Sequence, residues 1–301
     1  MSRTPGNNRY TPVTIRYIKT SAALRSLGYH TQISQGSDRC GTSRAAGLDH
    51  DALDELVRRV IDIFHSRGID LSRHRLPVKE QVILTLELLR NTLAQMFLAD
   101  LLHISQSTAS RIYRRMLPVI NEALILTGIP IEQAASDGRA ILIDGTYVPT
   151  GNRPAQGQDV TKANYSGQRR CQCLSIQVAS TLEGQLLAIS PPVPGARHDS
   201  AALDLTGWSQ ILAENHTPWI ADTAYIVHGA RTPLTKKKGQ ERTDNEKHYN
   251  KEISSIRAHV EHAIGHLKQW KILATGYRGR LTELPDIIAV ITRLELYRLG
   301  W

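Results

Sequence analysis

Three acids of the 301-residue chain occupy settings suited to metal chemistry: Asp144, Asp222 and Glu261. Asp144 closes the apolar run Ala140 to Ile143, a pattern that predicts a short buried strand, Ile141–Asp144. Asp222 repeats the arrangement behind Trp219, Ile220 and Ala221. Glu261 lies in a helical pattern over Ile253 to Leu273, where Arg257, Glu261 and Lys268 fall at i, i+4 and i+11 and share one face. Carboxylates ending two buried strands, with a third on a helix, are what two adjacent divalent cations need. Magnesium prefers oxygen ligands and keeps several waters, so two or three carboxylates suffice without His or Cys. Two such ions, about 4 Å apart, activate a water and stabilise a leaving oxygen when a phosphodiester is cut.

Each acid also has an ordinary structural explanation. Asp144 precedes Gly145 and reads equally as a turn residue, and Asp222 as the end of a strand. Glu261 is spaced for an ion pair with Arg257 on its own helix, worth a few tenths of a kcal/mol. A rival acid, Asp199, follows His198 in the stretch Pro194 to Ser200 and stands just before a predicted helix; capping that helix is its leading reading, support of a metal site the second. His262 and His266 have the i, i+4 spacing of zinc ligands but no third partner, and read as surface residues.

The elements that must position these groups follow from periodicity. Leu53, Leu56, Val57, Val60, Ile61 and Phe64 predict a helix from Asp49 to His65 with Asp49 as cap. A helix opens at Leu76–Pro77 and runs to about Arg90, another runs from Thr92 to Leu102, and a third from a Ser105 cap to Leu117. Short helix, tight turn and polar-fronted helix form a helix-turn-helix pattern. Gln106, Ser107, Thr108 and Ser110 would reach base edges, and Arg111, Arg114 and Arg115 would meet phosphates. An ordinary three-helix packing unit is the alternative. Residues 127–139, with Gly128, Pro130, Ser136, Asp137 and Gly138, read as a linker. Beyond it come predicted strands Ile141–Asp144, Cys173–Ser180, Leu186–Ser190 and Ile220–Asp222, with Gly184 turning the second into the third. Helices are expected over Ala201–Leu212 and Leu284–Leu299, giving a mixed sheet covered by helices.

Bulk numbers favour a polyanionic partner. Net charge is +9, with 37 Lys and Arg against 28 Asp and Glu. The excess is concentrated: residues 1–44 hold seven basic and one acidic residue, and residues 231–280 twelve basic and five acidic, so the rest of the chain is at −4. Residues 1–46 read as a basic arm with one helix around Ser21–Leu27. Three cysteines, Cys40, Cys171 and Cys173, lack zinc-ligand spacing and predict a reducing compartment. No apolar stretch approaches the ~20 residues of a membrane span, and the polar start is unlike a signal peptide.

These motifs, in this order, resemble the DDE transposases of bacterial insertion sequences, in the insertion-sequence-5 superfamily, and the related Harbinger-type DDE endonuclease domain. Ile143 to Thr146 is similar to the first-acid motif of that family. Tyr165, Ser166 and Gly167, followed by Arg169, Arg170 and the strand Leu174 to Ala179, resemble the segment after its first strand. Pro194 to Asp199 resembles its Pro-Gly-x-x-His-Asp stretch, Ala221 to Tyr225 its second-acid motif, and Arg257, Glu261 and Lys268 its third. The likeness spans roughly residues 76–298. Where family members often carry Tyr three residues before that Arg, this chain has Ser254.

The resemblance implies an all-α helix-turn-helix domain (47–134) after the basic arm (1–46), then a ribonuclease H-like mixed α/β catalytic domain (139–301). It implies a transposase that binds inverted-repeat ends and cuts and joins DNA with magnesium or manganese, two ions held by Asp144, Asp222 and Glu261. Asp199, His198, Arg257 and Lys268 would support the site or contact phosphate. Double-stranded DNA is the expected partner, a homodimer or larger assembly the expected active form, and the bacterial cytoplasm or nucleoid the expected place. Two other readings stay open: a DNA-binding protein descended from a transposase that no longer cuts, and a structure-specific nuclease of the same fold.

Overall fold

The computed structural model describes residues 47–125, 130–236, 238–239 and 241–300, in two compact units divided between Met116 and Leu117. The arm expected over residues 1–46, with its helix around Ser21–Leu27, lies outside the described residues, as do residues 126–129.

In the first unit, α1 (His50–Ser66) begins where Asp49 Oδ1 accepts from the Ala52 N–H at 2.7 Å, and it buries Leu53, Leu56, Val57, Val60 and Phe64. Each such side chain stabilises the unit by ~1.5–3 kcal/mol when fully buried. α2 (Val78–Arg90) packs on α1 and is buried nearly all round, its polar Glu80, Gln81, Thr85 and Glu87 included. α3 (Gln95–Leu101) starts three residues later than the sequence predicts, because Thr92 adopts a left-handed φ of +50° that no helix admits. A turn with His103 at φ +53° leads into α4 (Gln106–Ala123), whose first turn is held by Ser105 Oγ accepting from the Thr108 N–H at 3.2 Å. α4 outruns its expected end at Leu117 and continues through Pro118, which lacks the N–H for the carbonyl one turn back.

In the second unit the expected linker is an ordered helix, α5 (Ile131–Ser136), whose Ile131, Ala134 and Ala135 are buried. β1 (Ile141–Pro149) follows. It runs five residues past the predicted end at Asp144, because it pairs antiparallel with β3 all the way from Leu142↔Ser180 to Pro149↔Cys173. That ladder overrides the Asp–Gly turn signal. α6 (Gln158–Asn164) leads into β2 (Tyr165–Ser166), then come β3 (Cys171–Ser180), β4 (Leu186–Ile189) and β5 (Val193–Pro194). Gly184, at φ +84°, turns β3 into β4 as expected. The helix predicted over Ala201–Leu212 is two, α7 (Asp199–Leu205) and α8 (Trp208–Glu214), separated by Gly207 at φ +76°. β6 (Trp219–Ile220) stops before Asp222, which instead begins a 3-10 helix, Thr223–His228.

α9 (Asp244–Lys268) starts nine residues before the predicted Ile253, at a capping box in which Thr243 and Glu246 bond each other's backbone N–H. The predicted helix to Leu273 ends at Lys268, and a separate turn, α10 (Lys271–Ala274), follows before α11 (Leu284–Arg298). The sheet order is β2-β3-β1-β6, with β4 and β5 also on β3. Side chains alternate across β1. Ile141 and Ile143 join Leu203, Trp208, Leu212 and Tyr225 in the core on one face, while α9 packs against β1 and β3, α10 against β1 and α11 against β4. A mixed sheet between helices is therefore the scaffold of the site.

Candidate active site

β1 and β6 run parallel and pair through Leu142↔Ile220. Two residues beyond that pair stand Asp144, still within β1, and Asp222, just past the end of β6, so the two acids follow from neighbouring strands. Asp144 Oδ1 accepts from the Gly145 N–H at 3.0 Å, and Arg257 Nη2 approaches the same oxygen to 3.9 Å from α9. Asp222 Oδ1 accepts from the N–H and, at 2.9 Å, the hydroxyl of Thr223. In both acids the second oxygen, Oδ2, has no hydrogen-bond partner among the described residues.

Burial pushes the Asp144 carboxyl up to about 6; the Arg257 charge and the Gly145 N–H pull against it, and the charges of Asp199 and Asp222 add to the rise. Asp199 thus belongs to the same neighbourhood. It does not cap α7, contrary to its leading sequence reading: His198 holds the cap position without a side-chain bond, and Asp199 is the first helical residue. Its carboxylate lies over Gly145, where a Cβ would stand 2.5 Å from Oδ1. Burial raises the Asp199 carboxyl, Arg169 draws it back, and Asp222 raises it further. Beneath lies Tyr225, wholly buried, whose hydroxyl donates to Gln177 Oε1 at 2.5 Å. Burial, reinforced by Asp199, Asp144 and Asp222, drives its phenol far above the usual range.

α9 brings two of its three predicted residues against β1. Arg257 faces Asp144 rather than Glu261, so the predicted ion pair within the helix is replaced by one to the strand. Lys268 Nζ donates to the Tyr147 carbonyl and, at 3.1 Å, to that of Leu273; burial lowers its ammonium to about 8. Glu261 is exposed on α9, and among the described residues no three His, Cys, Asp or Glu side chains form a ready metal cage. His198 is exposed. The oxygen-only donors of Asp144 and Asp222, each with a free Oδ2, suit a hard cation that retains water.

Comparison with known proteins bears on both units. The family model for DDE superfamily endonuclease matches residues 143–295, half of the chain, and that for the helix-turn-helix of DDE superfamily endonuclease matches residues 74–124. The chain belongs to the DDE superfamily endonucleases. It is 28% identical over 220 residues to a protein named as a transposase for insertion sequence element IS112 of Streptomyces albus G, covering 71% of this chain and 80% of that one. It is also 28% identical over 171 residues to one named as a transposase for IS702 of Microchaete diplosiphon, covering 54% and 59%. No solved structure matches.

In this DDE endonuclease the helix-turn-helix residues divide by environment. Gln106, Ser107, Arg111, Arg114 and Arg115 are exposed on α4, and Thr108 and Ser110 are half-buried. Arg115 Nη2 instead donates to Oε1 of the buried Gln81 at 2.5 Å, so its guanidinium is tied to α2. Among the described residues no helix is long and apolar enough to cross a membrane, and Cys171 and Cys173 are free thiols. Sequence reasoning gave Tyr225, Gln177 and Tyr147 no role. The available signal was a polar or aromatic residue at a strand or motif position otherwise apolar, Gln177 between Ile176 and Val178 above all.

Proposed function

We propose that this DDE endonuclease is a transposase that binds the inverted-repeat ends of its element, cuts there and joins the freed end to target DNA. The reading rests on Asp144, within β1, and Asp222, two residues past the end of the parallel neighbour β6, each with one carboxylate oxygen without a hydrogen-bond partner among the described residues. Glu261, one turn from Arg257 on α9, is the proposed third ligand. Magnesium or manganese, as two ions bound by these three acids, would activate the nucleophile and stabilise the leaving oxygen. Water attacks phosphorus in line and breaks the P–O3′ bond, leaving a 3′-hydroxyl. That hydroxyl then attacks a target phosphodiester, so one bond forms for each that breaks.

Arg257 holds Asp144 in place and offsets the repulsion among neighbouring carboxylates. Exposed α4 residues read the end sequence, and affinity should fall with rising salt as DNA binding releases counterions. Two ends must meet, so the active form is a dimer or larger. The substrate locates the protein with DNA in the bacterial cytoplasm. The experiment is incubation with magnesium and duplexes taken from the DNA bordering the coding sequence, with products mapped at nucleotide resolution. Cuts at the element ends bearing 3′-hydroxyls, followed by joined products, are expected; binding without cutting would favour a non-cutting descendant, and cuts set by DNA shape alone a structure-specific nuclease.

A further inference from the structure

The turn between β2 and β3 carries Arg169 into the neighbourhood of the acids with its charge uncommitted. β2 and β3 pair through Ser166↔Cys171, so residues 167–170 form a tight hairpin turn, closed by Arg170 at φ +52°. Ser166 Oγ accepts from the Arg169 N–H at 3.2 Å and fixes the backbone there. Its side chain extends over the ring of Tyr147, with Cζ 4.9 Å from the ring centroid, while Lys268 Nζ lies 5.0 Å from the same ring. Tyr147 is two residues from Gly145 in β1 and on the same face, the face on which the Asp199 carboxylate lies over Gly145.

An arginine kept only for structure would be expected to close on the nearest acid. Asp199 lies over Gly145, and Arg169 lies over Tyr147 two residues further along the same face of β1, so the guanidinium stands on the side of the sheet that carries this carboxylate. Yet Arg169 is exposed, and its guanidinium makes no ion pair or hydrogen bond among the described residues. A planar fork of five donors, stacked on an aromatic ring beside a carboxylate site and left without an acceptor, matches a phosphate diester. Lysine at the same place would bring one point charge and lose the fork.

We propose that Arg169 binds a backbone phosphate of the DNA beside the bond that is cut, with Tyr147 as the platform that orients it. This rests on the reading of Asp144 and Asp222 as the cleavage site. The test uses end duplexes carrying one neutral methylphosphonate at successive positions around the cut, with wild-type protein, Arg169→Ala and Arg169→Lys. A charge-assisted hydrogen-bonding pair predicts a roughly 10- to 100-fold loss of cleavage rate in Arg169→Ala and a smaller loss in Arg169→Lys. One or two methylphosphonate positions should slow the wild type by a similar factor and no longer slow Arg169→Ala, while the other positions keep their effects. Manganese affinity, measured by titration calorimetry without DNA, and melting temperature should stay at wild-type values. Cleavage by Arg169→Ala at the wild-type rate overturns the assignment, as does a variant that keeps every methylphosphonate effect in full. Wild-type protein that cuts no end duplex overturns the nuclease reading itself, an outcome distinct from either.

Discussion

The Asp199 carboxylate of α7 fills the space a side chain on Gly145 of β1 would need: a Cβ there would lie 2.5 Å from Asp199 Oδ1 and 3.1 Å from the Tyr225 hydroxyl. The glycine lets a carboxylate from one face of the sheet reach the level of Asp144, the residue before it. Neither neighbour yields easily, since Asp199 is anchored in the first turn of a helix and Tyr225 is a buried ring bonded to Gln177. Gly145→Ala should therefore destabilise the protein by roughly 1–3 kcal/mol, as overpacking does. It should also slow metal-dependent cleavage more than the loss of stability explains; thermal unfolding and cleavage rates at a temperature where the variant is folded measure the two effects.

Lys268 connects α9 to β1 by its hydrogen bonds to the Tyr147 and Leu273 carbonyls. Lys268→Met keeps the apolar stem and removes the donor, leaving partly buried acceptors unpaired, at a cost of about 1–3 kcal/mol. Denaturant unfolding should show that loss, while the salt dependence of DNA binding stays unchanged if the ammonium steadies the strand instead of meeting phosphate.

Glu80 gives the first unit a pH dependence. It is 3% exposed, its Oε2 has no hydrogen-bond partner, and burial pushes its carboxyl up to about 7 from 4.5. The folded state holds the proton more tightly than the unfolded one, so the contribution to stability is complete below about pH 4.5 and lost as pH rises through about 7. The full change is on the order of 3 kcal/mol. Glu80→Gln should flatten this slope and be more stable than the wild type at pH 8, which urea unfolding at pH 5 and pH 8 will measure.

The three arginines of α4 should separate by assay. All three are exposed, but the Arg115 guanidinium is bonded to buried Gln81. Arg111→Ala and Arg114→Ala should each reduce the slope of log affinity against log salt by about one and leave stability unchanged. Arg115→Ala should destabilise the unit by about 1–2 kcal/mol instead.

Much of this architecture was legible because periodicity and caps report local physics. Asp49, the apolar stripe behind it, the Ser105 turn and the Gly184 hairpin all stand where the residue pattern put them. What escaped depends on partners distant in sequence. The Asp144–Gly145 pair looks like a turn until β3 pairs with it, and Asp199 looks like a cap until Gly145 is seen beneath it. The first two turns of α9 carry too few apolar residues to show a period, although the Thr243 to Glu246 capping box marked their start. Gly207 splits a helix whose apolar spacing ran on unbroken. Glu261, which helical spacing sets on one face with Arg257 and Lys268, stands exposed on α9.

The most direct measurement is the rate of magnesium-dependent cleavage of an end-bearing duplex by Asp144→Ala, Asp222→Ala and Glu261→Ala, with DNA retention measured on the same preparations. The account predicts that all three bind the duplex like the wild type and cut it roughly 1,000-fold more slowly or not at all, the several kcal/mol that bound metal contributes to the transition state. Wild-type cleavage by any one of them would contradict the assignment of that acid to the metal site.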